Sequence, residues 1–177
     1  MKIKSLIVSA MIAMLCMSVS IAETNSFAVW KTVKIGSHKN SMELWKTVVT
    51  NKCNIIGVPE TSFSVVTNEQ EVSLVLITAE QLGFPVGTSY ERLLERADQL
   101  GLKPCTMEIG LQALLQGEVP AGEQYLVAMN PVMIHPDPET FRLGIFSLAK
   151  EKTLKGVQEY RIRVTSRTDK WLFAQKR

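Results

Sequence analysis

The sequence predicts an α+β fold: a single domain with a mainly antiparallel sheet and two or three short helices on one face. Helical periodicity clusters in the first two thirds of the 177 residues, and strand patterns dominate the last third. No internal repeat and no long linker divides the chain. Composition is that of an ordinary globular protein, 46% hydrophobic and 21% charged, with no tract biased toward disorder.

The chain opens with Met1-Lys2-Ile3-Lys4, a short positive segment, followed by an apolar run over 5–19. Ser20-Ile21-Ala22 then places small residues at the two positions that signal peptidase inspects. This predicts an export signal over 1–22 and a mature domain over 23–177, periplasmic or secreted. An uncleaved anchor is the competing reading, and the run is only marginally long enough to span. Cleavage would leave no membrane span. Leu15 is too bulky to precede a lipidated Cys16.

Residues 27–35 alternate as a first strand, with Lys31 and Lys34 toward its wet side. Met42, Trp45, Val48 and Val49 fall at helical spacing within 41–51, after a loop carrying N-cap residues. Gly57 and Pro59 break the run 53–60. Residues 63–66 and 72–77 read as two strands joined by a polar hairpin connection, the second apolar enough for a covered central strand.

The densest punctuation lies in 78–110. Residues 78–85 look like one helical turn closed by Gly83, with Phe84 inward. Thr88 and Glu91 have the spacing of a capping box. Tyr90, Leu93, Leu94, Ala97 and Leu100 then follow on one helical face, and Gly101 and Pro104 end the segment. The spacing predicts a helix over 88–100 and a second short one over 107–115, which Gly110 weakens by roughly 1 kcal/mol relative to Ala. Beyond the turn at 117–122, strands are expected over 125–129, 141–148, 160–165 and 170–174, with Gly144 a candidate bulge. The prolines in 135–139 exclude regular structure there.

Glu80-Gln81-Leu82-Gly83-Phe84, Leu100-Gly101-Leu102 and Cys105-Thr106-Met107-Glu108-Ile109-Gly110 together resemble a pattern found in small bacterial proteins with no assigned activity. In those proteins proline often follows the cysteine, where this chain has Thr106. The likeness continues through Pro120-Ala121-Gly122-Glu123 and Ala128-Met129-Asn130-Pro131, about half the chain. It implies a shared fold and nothing about activity.

Loss of the signal removes Cys16 and leaves Cys53 and Cys105. In an oxidising compartment such a pair is expected to form a disulfide, whose loop of about fifty residues would stabilise by on the order of 4 kcal/mol. The alternatives are a free thiol at Cys105 and two cysteines that are simply buried.

Catalytic chemistry is thinly represented. Only two histidines are present, His38 and His135, so a histidine-rich metal site is not expected. His135, Asp137 and Glu139 stand among prolines in a surface loop. No cofactor or metal is expected. There is no nucleophile elbow, phosphate-binding loop or dinucleotide turn. A thiol-dependent hydrolase would use Cys105 with His135, and Asn130 or Asp137 as orienting group. A helix beginning at Cys105 would lower its pKa.

Charge is unevenly distributed. Residues 150–177 hold nine basic and three acidic side chains, whereas 23–149 hold 9 basic and 14 acidic. Arg161 and Arg163 project from one face of an alternating strand, with Arg167 and Lys170 close by in sequence. This predicts a binding domain whose basic C-terminal strands contact a protein or an anionic envelope component. Nucleic acid is disfavoured because the run lacks exposed aromatic platforms. A sheet edge kept soluble by charge, in a purely structural envelope component, is the competing account.

Overall fold

The structure, a computed structural model, describes residues 27–58, 63–133, 143–150, 152–158 and 165–176. The segment read as a signal, the loop carrying His135, Asp137 and Glu139, and the strand positions of Arg161 and Arg163 lie outside them. Among the described residues are three helices and nine strands. In chain order these are β1 (Val29–Ile35), α1 (Ser41–Thr50), β2 (Asn54–Ile56), β3 (Gln70–Thr78), α2 (Tyr90–Gln99) and β4 (Leu102–Lys103). Then come α3 (Met107–Gln116), β5 (Gln124–Val127), β6 (Val132–Met133), β7 (Leu143–Ala149), β8 (Thr153–Gln158) and β9 (Lys170–Gln175).

The sheet runs β1-β3-β9-β5-β7-β8-β2 and is curled, with β4 paired to β9 and β6 to β7. It is mixed, which corrects the expectation of a mainly antiparallel sheet. β5 lies parallel to β9 and β2 parallel to β8; the other pairings are antiparallel. The C-terminal strand enters the middle of the sheet, between β3 and β5, and does not close an edge. Trp171, Leu172, Phe173 and Ala174 are consecutive and all buried, so β9 is covered on both faces.

Each helix has a local cause. Asn40 caps α1 by accepting from the N–H of Glu43 at 2.9 Å. Thr106 caps α3 by accepting from Ile109 at 3.3 Å. In α2 the cap is Ser89, which accepts from Arg92 at 3.4 Å, one residue later than the capping box places it. Thr88 is drawn out of the helix because its carbonyl accepts from the N–H of Thr165 at 2.8 Å and from the Thr165 hydroxyl at 3.0 Å. Gly87 makes that approach possible: at φ +87° it lies so close to the Thr165 carbonyl that a Cβ would overlap it.

Helix α2 buries Tyr90, Leu93 and Ala97 and packs on β4. A fully buried leucine such as Leu93 contributes roughly 1.5–3 kcal/mol. Helix α3 is buried from Met107 through Leu114 and lies against β1 and α1. A helix buried on all sides must pair its own polar groups, and Glu108, Gln112 and Gln116, four residues apart, do so. Glu108 Oε1 accepts from Gly36 N–H at 2.7 Å, and Oε2 from Val66 N–H at 2.9 Å. Gln112 Nε2 meets His38 Nδ1 at 3.3 Å. The Gln116 amide donates to the Lys34 carbonyl and accepts from the Lys34 N–H. Val66 is held by Glu108, and the expected first strand of a hairpin over 63–66 does not form.

Candidate functional site

Cys105 follows β4, its N–H donating to the Ala128 carbonyl at 2.6 Å and its Sγ to the Leu172 carbonyl at 3.6 Å. It is only 4% exposed, and burial pushes the thiol up to about 12. Such a group is protonated at neutral pH and closed to substrate, the reverse of the lowered pKa expected from the helix N-terminus. Thr106 stands between Cys105 and α3, so the cap carries the helix-end interaction. The hydrolase partner His135 is outside the described residues; Asn130 is described and exposed. His38 is held between Thr47 Oγ1 at 3.1 Å and Gln112.

The expected disulfide between Cys53 and Cys105 is absent: both are free thiols. The physical reason is placement. Cys105 lies against β9, whereas Cys53 leads into β2, four strands away along the sheet. Cys53 ends a Schellman motif, its N–H donating to Val48 O at 3.3 Å while Lys52 N–H donates to Val49 O at 3.0 Å. That motif favours apolar contact between the last cap residue and the helix, which accounts for its half-burial. Burial raises the Cys53 thiol, opposed in part by the nearby Lys152 ammonium.

The basic tail is partly neutralised within the molecule. Lys170 Nζ meets Glu123 Oε2 at 2.5 Å and lies 6.0 Å from the centre of the Tyr125 ring. Hydrogen bonding to Glu123 raises the Lys170 pKa. Lys176 Nζ meets Asp98 Oδ1 at 2.5 Å and the Asp98 carbonyl at 3.0 Å. The acidic body and basic tail read from the sequence thus meet at these two points. Arg167 differs. Its side chain is exposed on a turn closed by Asp169 N–H to Ser166 O at 3.2 Å and Ser166 N–H to Asp169 Oδ2 at 2.9 Å. Its own carbonyl accepts from Glu80 N–H at 3.1 Å. The turn pins the backbone and leaves the guanidinium outward.

A cleft of about 240 Å³ opens at the C-terminal end of α3. Ala113, Leu114, Val119, Leu148 and Ala149 give it an apolar lining, with Gly117 in its wall and Glu118 and Lys152 bringing charge. Gly117 carries no side chain because Trp30 occupies the space a Cβ would need; that indole also packs edge-on to Tyr125 at 5.5 Å. Lys152 lies in the β7–β8 connection at φ +49°, a left-handed backbone usual for Gly or Asn. Its carbonyl accepts from Asn54 N–H at 3.0 Å, which fixes the turn to β2. Sequence reasoning missed this site: Glu118 lay in a turn motif, and Lys152 counted only as tail charge. A hairpin turn lacking Gly or Asn was the available signal.

Among the described residues no group of three or more His, Cys, Asp or Glu gathers as a metal site, and no helix is long and apolar enough to cross a membrane. Comparison with protein-family models, curated proteins and solved structures finds no match to this chain.

Proposed function

We propose that this chain is an exported binding domain, one α+β unit over 23–177, whose basic C-terminal region contacts an anionic or protein partner. The observation that carries the reading is the different treatment of cations in that region. Lys170 and Lys176 are paired inside the molecule, while Arg167 stands exposed on a pinned turn. The contact therefore falls to Arg167 with Arg161 and Arg163, which precede it in the sequence, and no longer to Lys170. A guanidinium on a fixed backbone loses less freedom on binding than one on a loose tail. Burial of Trp171 and Phe173 removes the aromatic platform that a single-stranded nucleic acid would need.

The thiol-dependent hydrolase draws no support from the buried, protonated Cys105. A structural envelope component differs from the binding domain in predicting no salt-sensitive partner. Retention on immobilised heparin and on immobilised polyglutamate tests the reading. The triple variant Arg161→Ala, Arg163→Ala, Arg167→Ala should elute at clearly lower salt than the parent, and Lys170→Met close to the parent. Equal elution of parent and triple variant on both matrices would remove the reading.

A further inference from the structure

We propose that the cleft at the end of α3 binds a free α-amino acid with a branched or aromatic apolar side chain, held as its zwitterion. The inference is separate from the anionic-partner reading, since it uses none of Arg161, Arg163 or Arg167.

Size limits the occupant first. Sites for drug-sized ligands occupy about 300–1,000 Å³, and this one has about 240 Å³. It suits a molecule of a few heavy atoms more readily than a sugar chain or a long lipid. Ala113, Leu114, Val119 and Leu148 then select an apolar side chain.

Charge decides among small apolar molecules. Glu118 and Lys152 both line the cleft and both are exposed. No ion pair joins them. A fatty acid would satisfy Lys152 and be repelled by Glu118; an alkylamine would do the reverse. A zwitterion satisfies both. Helix α3 also directs its negative end toward the cleft, where Gly117 N–H closes on Ala113 O at 2.9 Å, and this favours an ammonium beside Glu118.

Calorimetric titration of the purified protein with L-leucine, N-acetyl-L-leucine, L-leucinamide and octanoate tests this. Leucine should bind, and each probe lacking one charge should bind on the order of fivefold or more weakly. Glu118→Gln should abolish the preference for leucine over N-acetyl-leucine. Lys152→Asn, which tolerates the left-handed turn, should abolish the preference over leucinamide. Both positions are exposed, and unchanged thermal unfolding would show that the fold is kept. The proposal is overturned if neither leucine nor phenylalanine binds at tens of millimolar. It is also overturned if the four probes bind alike, if octanoate equals leucine, or if the variants leave the preferences in place.

Discussion

The hydroxyl of Tyr90 donates to the carbonyl of Met129 at 2.7 Å and accepts from the N–H of the same residue at 2.8 Å. One side chain at the start of α2 thus satisfies both backbone groups of a buried residue just beyond β5. The Tyr90 ring lies 5.1 Å from that of Trp171, so the contact joins helix, loop and central strand. Tyr90→Phe keeps the ring and strands both Met129 groups away from water. The expected cost is about 2–4 kcal/mol, read as a lower urea midpoint with unchanged m. A change under about 0.5 kcal/mol would mean that water reaches Met129.

Glu108 holds two segments far apart in sequence through one carboxylate. Glu108→Gln offers a single oxygen to the N–H groups of Gly36 and Val66 and turns an amide donor toward the other. The expected loss is about 2–3 kcal/mol. Glu108→Ala removes both acceptors, and amide exchange at Gly36 and Val66 should then accelerate together. Acceleration at only one of them would show that the two segments are held independently.

How much of this was legible follows the range of the interactions. The helices were readable because caps and apolar spacing are local: 107–115 became Met107–Gln116, and 41–51 became Ser41–Thr50. Gly101 adopts the expected left-handed conformation at φ +80°. The capping box failed by one residue because Thr165, 77 positions away, claims the backbone of Thr88.

Strand existence was partly legible and strand pairing was not. Nothing in the alternation of 170–174 says that β9 enters between β3 and β5, or that β5 runs parallel to it. Asn54–Ile56 and Leu102–Lys103 are too short for any period to register, and they are strands because β8 and β9 receive them. The same limit hid the cleft, whose lining comes from the end of α3, the segment after it and the β7–β8 turn. Tail charge was countable, but its pairing with Glu123 and Asp98 depends on the folded chain.

Lys52 occupies the left-handed position of the Schellman motif after α1, at φ +56°. An L-residue there costs about 1–2 kcal/mol, whereas glycine's extra chain entropy costs about 0.5–1 kcal/mol. Lys52→Gly should therefore stabilise by about 0.5–1 kcal/mol, raising the thermal midpoint by about 1–4 °C. Lys52→Ala keeps the strain and should bring no comparable gain. If both variants behave alike, the motif does not control the end of α1.

The two thiols should separate by access and by pH. Iodoacetamide added to the native protein should modify Cys53 slowly and Cys105 only after unfolding, with no mass change on reduction. A bonded Cys53–Cys105 pair in the intact mass would overturn this arrangement. Burial raises the Cys105 thiol from its ordinary 9.0 to about 12, which sets the sign of the pH dependence. Below pH 9 the thiol is protonated in both folded and unfolded chains, and its contribution is fully present. Above pH 9 the unfolded chain releases the proton while the folded chain keeps it, so stability falls as pH rises toward 12. The slope for one such group approaches about 1.4 kcal/mol per pH unit. Cys53 and Tyr90 are raised as well, so the wild-type slope contains all three. The difference between wild type and Cys105→Ala isolates one of them. Urea unfolding at pH 8.0, 9.5 and 10.5 should show the alanine variant losing less stability with each step, and parallel losses in the two proteins would place Cys105 in contact with water.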